Sequence, residues 1–148
     1  MPHLPRLIAT LLLLLPAGGA LADDAADVRR AVDGLYAGIA EGDLEAVRRY
    51  VPPRGFTEFN TNGSELQTLD LALFRGAFSD GVRIEFHVEQ PNVRVIDGDS
   101  AIVTGYRVGA ISFPDGKRIA SRNCSSMVWR KQEDRWMLEH IHLSACSD

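Results

Sequence analysis

The sequence has no basic cluster. Its 16 lysines and arginines stand against 20 aspartates and glutamates, and no stretch concentrates the positive charge. A chain of that kind is a poor partner for nucleic acid. Internal repeats, low-complexity tracts and long linkers are also lacking, which leaves a single domain with its own core. Nor is there an apolar run long enough to span a bilayer. The run over residues 7–15 falls far short of the roughly 20 residues that a permanent membrane helix needs.

That short run has a different reading. Arg6 precedes it, and Ala20-Leu21-Ala22 follows with the small-x-small form of a signal-peptidase site. Residues 1–22 are therefore expected to be a signal peptide. The domain is expected over residues 23–148, released into the periplasm or secreted. No cysteine follows the cleavage point, which argues against a lipid anchor. The mature chain keeps 15 basic and 20 acidic side chains, a net charge of −5.

Only two cysteines are present, Cys124 and Cys146. Export favours a bridge between them. Register opposes it: a two-residue turn at Glu133-Asp134 sets Cys124 opposite Leu143, facing away from Cys146. A bulge or a folded-back tail would be needed to bring them together. The pairing is left open at this point.

What the sequence does hold is a change of period. Val28, Val32, Leu35 and Ile39 recur at helical spacing, so residues 24–41 read as an amphipathic helix ended by Gly42. Gly34 and Gly38 are expected to let this helix pack closely on a sheet. Asp43 caps a second short helix that Pro52-Pro53 stops. Residues 68–78 form a third candidate, and residues 56–64 a short hairpin around Asn62-Gly63. After Gly81 the period becomes two. Strands are expected over residues 82–95, 100–113, 118–130 and 136–144. Pro91 stands at a phase slip that marks a β-bulge. Helices followed by an antiparallel meander define an α+β fold with a strongly curved sheet.

Two-residue turns at Asp97-Gly98, Asp115-Gly116 and Glu133-Asp134 fix the faces. One face, expected to cover the helices, gathers Phe86, Val88, Ile102, Tyr106, Val108, Met127, Trp129, Trp136 and Leu138. Asn123, Ser125, His140 and His142 join it. The other carries Arg83, Glu85, His87, Arg107, Arg122 and Glu139. Val103, Val128, Ile141 and Leu143 lie among these charges, and that stripe points to a subunit interface.

The last strand is the most informative. Trp136, Leu138, His140, His142 and Ser144 alternate onto one face, which turns from apolar to imidazole along its length. Such a strand suits a pocket with a greasy end and a polar end. Two imidazoles also suit a metal, but a third ligand is wanted and neither Asn123 nor Ser125 is a good one. No metal and no cofactor is therefore expected.

The order of elements, Gly42-Asp43-Leu44-Glu45 after the first helix, and the ending Trp129…Trp136-x-x-x-His140-x-His142-x-Ser144 resemble the SnoaL-like branch of the NTF2-like superfamily. Closest in likeness is the association (hub) domain of calcium/calmodulin-dependent kinase II and its bacterial relatives. The resemblance implies an NTF2-like cone with an internal cavity and self-association as a homodimer or larger ring. It also implies an arginine in the cavity at Arg107, in conflict with the face arithmetic. In ketosteroid isomerase, a catalytic cousin, a tyrosine and a carboxylate base occupy positions that fall here on Leu35 and on or beside Phe59. Tyr36 and Glu58 are one residue away from them.

The reading that follows is an exported module that binds a small apolar molecule and itself, without an evident catalytic centre. Its cavity would be lined by Tyr106, Arg107, Asn123, Ser125, Trp129, His140 and His142. The alternative is an enzyme of isomerase, cyclase or hydrolase type acting on a small apolar carbonyl compound, with His140 or His142 as acid or base. A pocket of roughly 300 Å3 or more reaching His142 would favour a ligand, whereas an interior filled by side chains would favour a third reading, a purely structural partner-binding domain.

Overall fold

The computed structural model describes residues 18–61 and 65–146, with side chains from residue 23 onward. The Asn62-Gly63 turn and most of the expected signal peptide lie outside the described residues. Helix α1 (Gly18–Glu41) runs through the expected cleavage point after Ala22. Its buried positions Val28, Ala31, Val32, Leu35, Tyr36 and Ile39 form one broad stripe. Gly42 ends it with φ 67°. Helix α2 (Leu44–Arg48) starts at Asp43, whose carboxylate accepts from the amides of Glu45 and Ala46. Strand β1 (Phe56–Phe59) and strand β2 (Gln67–Leu69) pair antiparallel and precede α3 (Leu71–Ser79), capped by Asp70. The third helix is thus shorter than expected, because its first residues are spent on a strand.

Gly34 and Gly38 serve a different neighbour from the one expected. A Cβ at Gly34 would lie 2.2 Å from the Tyr50 hydroxyl, and one at Gly38 would lie 2.9 Å from Ala46 Cβ. The missing side chains admit α2 and its exit rather than the sheet.

Four long strands follow: β3 (Arg83–Val95), β4 (Ser100–Ser112), β5 (Arg118–Gln132) and β6 (Arg135–Ala145). They form the expected meander, with the register shift between Glu89 and Asn92 at Pro91. The sheet has six strands in the order β2-β1-β6-β5-β4-β3, because β1 adds to β6 in parallel. It is mixed, mostly antiparallel, curled and not closed. The α+β reading stands.

The faces differ from the expectation at three points, each one residue long. The β3–β4 loop holds three residues, not two: Ile96 donates to the Ser100 carbonyl around Asp97-Gly98-Asp99, with Gly98 at φ 74°. The β4–β5 loop also holds three, since Phe113 donates to the Lys117 carbonyl. The Glu133-Asp134 turn has two residues as expected, both at positive φ. Strand β6 then bulges: Trp129 pairs with Leu138, but Val128 pairs with His140. A single extra residue turns every later side chain to the opposite face.

The first loop therefore flips β4, and the second restores β5. Val103 and Arg107 point toward the helices, while Ile102, Tyr106 and Val108 lie on the outer face. Met127, Trp129, Asn123 and Ser125 face inward as expected. Beyond the bulge, Ile141 and Leu143 enter the core, and His140 and His142 turn outward. The expected outer aliphatic stripe is thereby reduced to Val128, because Val103, Ile141 and Leu143 are all buried.

The bulge also brings the cysteines together. Cys124 now pairs with Ser144, and Cys124 and Cys146 form a disulfide with their Cα atoms 5.3 Å apart.

Candidate functional site

Three ionisable side chains meet inside this apolar shell. Tyr36 reaches in from α1, Glu58 from β1 and Arg107 from β4. Tyr36 and Glu58 are each only 7% exposed. Phe56 and Glu58 share a face of β1, so burying Phe56 carries the carboxylate inward with it. Arg107 follows from the three-residue β3–β4 loop. Its cross-strand neighbours on the inner face are Val88 and Asn123.

Arg107 Nη1 stands 3.6 Å from Glu58 Oε2, an ion pair longer than a hydrogen bond. The guanidinium lies over the Phe86 ring, 4.3 Å from its centroid. Among the described residues, neither Arg107 Nε–H nor the Tyr36 O–H has an acceptor, although both atoms are buried; the Arg107 guanidinium lies close enough to the Tyr36 oxygen to act on it as a donor. Leaving a polar atom unpaired in an interior costs about 1–3 kcal/mol. Two such atoms beside one ion pair are unusual in a core kept only for stability.

Burial sets the charges. It pushes the Tyr36 phenol up to about 12, against the opposing pull of the Arg107 cation, so Tyr36 is a neutral donor near pH 7. It also pushes the Glu58 carboxyl above the ordinary 4.5, and Arg107 opposes that rise. The vacant positions are therefore donors, a phenol O–H and a guanidinium N–H. A guest satisfies both by presenting an acceptor oxygen. Glu58 stands by as a carboxylate that takes up a proton more readily than one in water.

The other expected lining residues divide. Asn123 is buried beside Arg107, and the Ser125 hydroxyl donates to the Gly105 carbonyl at 3.1 Å. Trp129 is fully buried, with its indole N–H unpartnered. Tyr106, His140 and His142 are corrected to the outer face. There the Arg122 guanidinium lies 4.0 Å from the Tyr106 ring centroid. A cleft of about 410 Å3 does reach His142. It opens on the outside of the sheet, between Phe59, Thr61 and Ser144, and is not the internal cavity that was expected. Among the described residues, no three His, Cys, Asp or Glu side chains converge as metal ligands within one chain.

The sequence reading passed over Tyr36 and Glu58. One signal pointed to them. A helix buries an arc, not a line, so Leu35 and Tyr36, about 100° apart, both face the core. In Phe56-Thr57-Glu58-Phe59 the two aromatics have opposite parity, and only one can be inside.

Comparison with known proteins agrees with this fold. The family model described as a SnoaL-like domain matches residues 28–148. The hub of calcium/calmodulin-dependent protein kinase II from S. rosetta is 28% identical, with a TM-score of 0.63, covering 89% of this chain and all of that one. The association domain of the C. elegans kinase is 23% identical, with a TM-score of 0.64 and coverage of 85% and 98%. An NTF2-like protein of unknown function in nutrient uptake from Rhodospirillum rubrum is 19% identical, with a TM-score of 0.67 and coverage of 82% and 99%. No protein among the curated sequences matches the chain.

Proposed function

The chain belongs to the SnoaL-like domain family, and on that premise we propose that it is an exported, self-associating module that holds a small molecule in its interior. One observation carries the ligand reading. Tyr36 Oη and Arg107 Nε are buried donors without acceptors, next to the Glu58–Arg107 pair. The guest they describe is a small, largely apolar molecule with a carbonyl or carboxylate oxygen. On this reading the oxygen lies between phenol and guanidinium, beside the Phe86 ring that the guanidinium covers.

Export is supported by the leader-like sequence and agrees with the Cys124–Cys146 bridge, since disulfides persist in oxidising compartments. Self-association is supported by the likeness to kinase association domains.

A second reading has its own observation. A carboxylate with a raised pKa facing a neutral phenol is a base facing a hydrogen-bond donor, the pair needed to shift a proton beside a carbonyl. The same guest would then be a substrate. The outward turn of His140 and His142 takes support from the alternative in which they were acid or base.

A thermal-shift screen of small aromatic and aliphatic ketones and carboxylates tests the ligand reading. A ligand at about 100 times its Kd stabilises the fold by about 2.7 kcal/mol. At least one member should raise the wild-type melting temperature and leave Arg107→Met unmoved. A screen in which no member shifts the wild type, or in which both proteins shift alike, refutes it.

A further inference from the structure

The β6 bulge that empties the interior of histidine puts His140 and His142 side by side on the outer face. Residues two apart on a strand are about 7 Å apart at Cα. Two imidazoles at that spacing can close on one ion with metal–nitrogen bonds near 2.0–2.1 Å. Strand β6 is the third of six, so the pair stands within the face rather than at an edge.

The contacts around His140 engage one ring nitrogen, Nδ1, and leave the other without one of these contacts. Thr57 Oγ1 lies 3.4 Å from the Glu139 carbonyl and 2.8 Å from His140 Nδ1. A hydroxyl has one proton, and a carbonyl can only accept. At 3.4 Å the Glu139 contact is weak, so Oγ1 can either donate to Nδ1 or accept from Nδ1–H; the second is the tautomer that a metal on Nε2 selects. That tautomer leaves Nε2 with a free lone pair. An imidazole fixed through one nitrogen by a polar neighbour, with the other nitrogen unprotonated, is the arrangement of a metal-ligating histidine. His142 is exposed, and the Phe59 ring flanks both imidazoles, with its centroid 6.0 Å from each.

We propose that His140 and His142 are one half of a four-histidine site for a divalent transition metal, Zn2+ in the first instance, completed by the same pair on a second copy docked across the outer face. Zinc takes four ligands in tetrahedral array. Among the described residues one chain offers no convergent set of three, so a second copy must supply the rest. The occupant fits the surface. Val128, directly opposite His140, and Phe59, directly opposite His142, are apolar residues 40% and 37% exposed beside the pair. The completing copy rests on the self-association reading; the histidine pair does not.

The test adds Zn2+ to metal-free, tag-free protein and follows it by calorimetry and sedimentation. One zinc per two chains and a dimer at least tenfold tighter than in EDTA are expected. His142→Ala should lose both effects. Thr57→Val should keep its fold and weaken zinc binding by about tenfold or more. No binding, one zinc per chain without a change in sedimentation, or undiminished binding by His142→Ala overturns the site. Self-association is read separately. A dimer in EDTA that zinc leaves unchanged refutes the metal site alone. A monomer in EDTA that zinc dimerises supports the site and refutes metal-free association. A monomer under both conditions refutes both.

Discussion

Glu58 is the residue whose titration reports on the interior. A carboxyl with a higher pKa in the folded chain than in the unfolded chain binds its proton more tightly when folded. The stability it contributes is complete below the ordinary 4.5 and is lost as pH rises through the raised folded value. The Arg107 guanidinium limits the rise. Urea unfolding of wild type and Glu58→Gln over pH 4 to 7 isolates this effect as a difference between two curves. The wild type should lose stability relative to the variant as pH increases above 4.5. Parallel curves would show that Glu58 titrates as it does in water. Such a group was hard to see in the sequence. Spacing from Gly42 pointed to Leu35 and Phe59, each one residue from the side chains that matter. Spacing locates a turn of helix or a strand; which neighbour goes inside depends on arcs and parities that packing decides.

At the scale of elements, hydrophobic period was enough to find α1, α2 and the four long strands, because burial imposes 3.6 or 2 on any amphipathic segment. The Pro91 bulge was legible because proline cannot donate to the ladder. The bulge in β6 was missed: the apolar parity does change from Trp136 and Leu138 to Ile141 and Leu143, but no proline or glycine stands at the slip to mark it. Loop length was silent: Asp97-Gly98 signals a hairpin whether two residues turn or three. Strand β1 escaped as a member of the main sheet, since a parallel pairing with β6 across some 80 residues leaves no local mark. The bridge follows from the same bulge. It closes a segment with a sequence separation of 22, for which loop-closure entropy gives about 3 kcal/mol. Replacing both Cys124 and Cys146 with Ser should lower the unfolding free energy by about that amount in denaturant titration. A value within about 0.5 kcal/mol of wild type, the scatter of surface substitutions, would show that the bridge does not constrain the unfolded chain.

The whole molecule presents a different set of side chains on each face of its sheet. The inner face and the helices enclose Tyr36, Glu58 and Arg107. The outer face carries Val128, Phe59 and the two histidines. Each face of one sheet thus has a distinct chemistry, and a one-residue bulge in β6 decides which side chains serve which. The interior is the central claim, and native mass spectrometry of wild type and Tyr36→Phe purified from the native host tests it most directly. Removing one hydroxyl whose proton has no acceptor leaves the shape of the core intact, so a difference between the two proteins reports on the guest and not on folding. The account predicts that wild type carries a reproducible added mass of one small molecule per chain, and that Tyr36→Phe carries less or none. A wild-type protein that arrives at its bare chain mass, or a variant that keeps the same guest at the same occupancy, would contradict it.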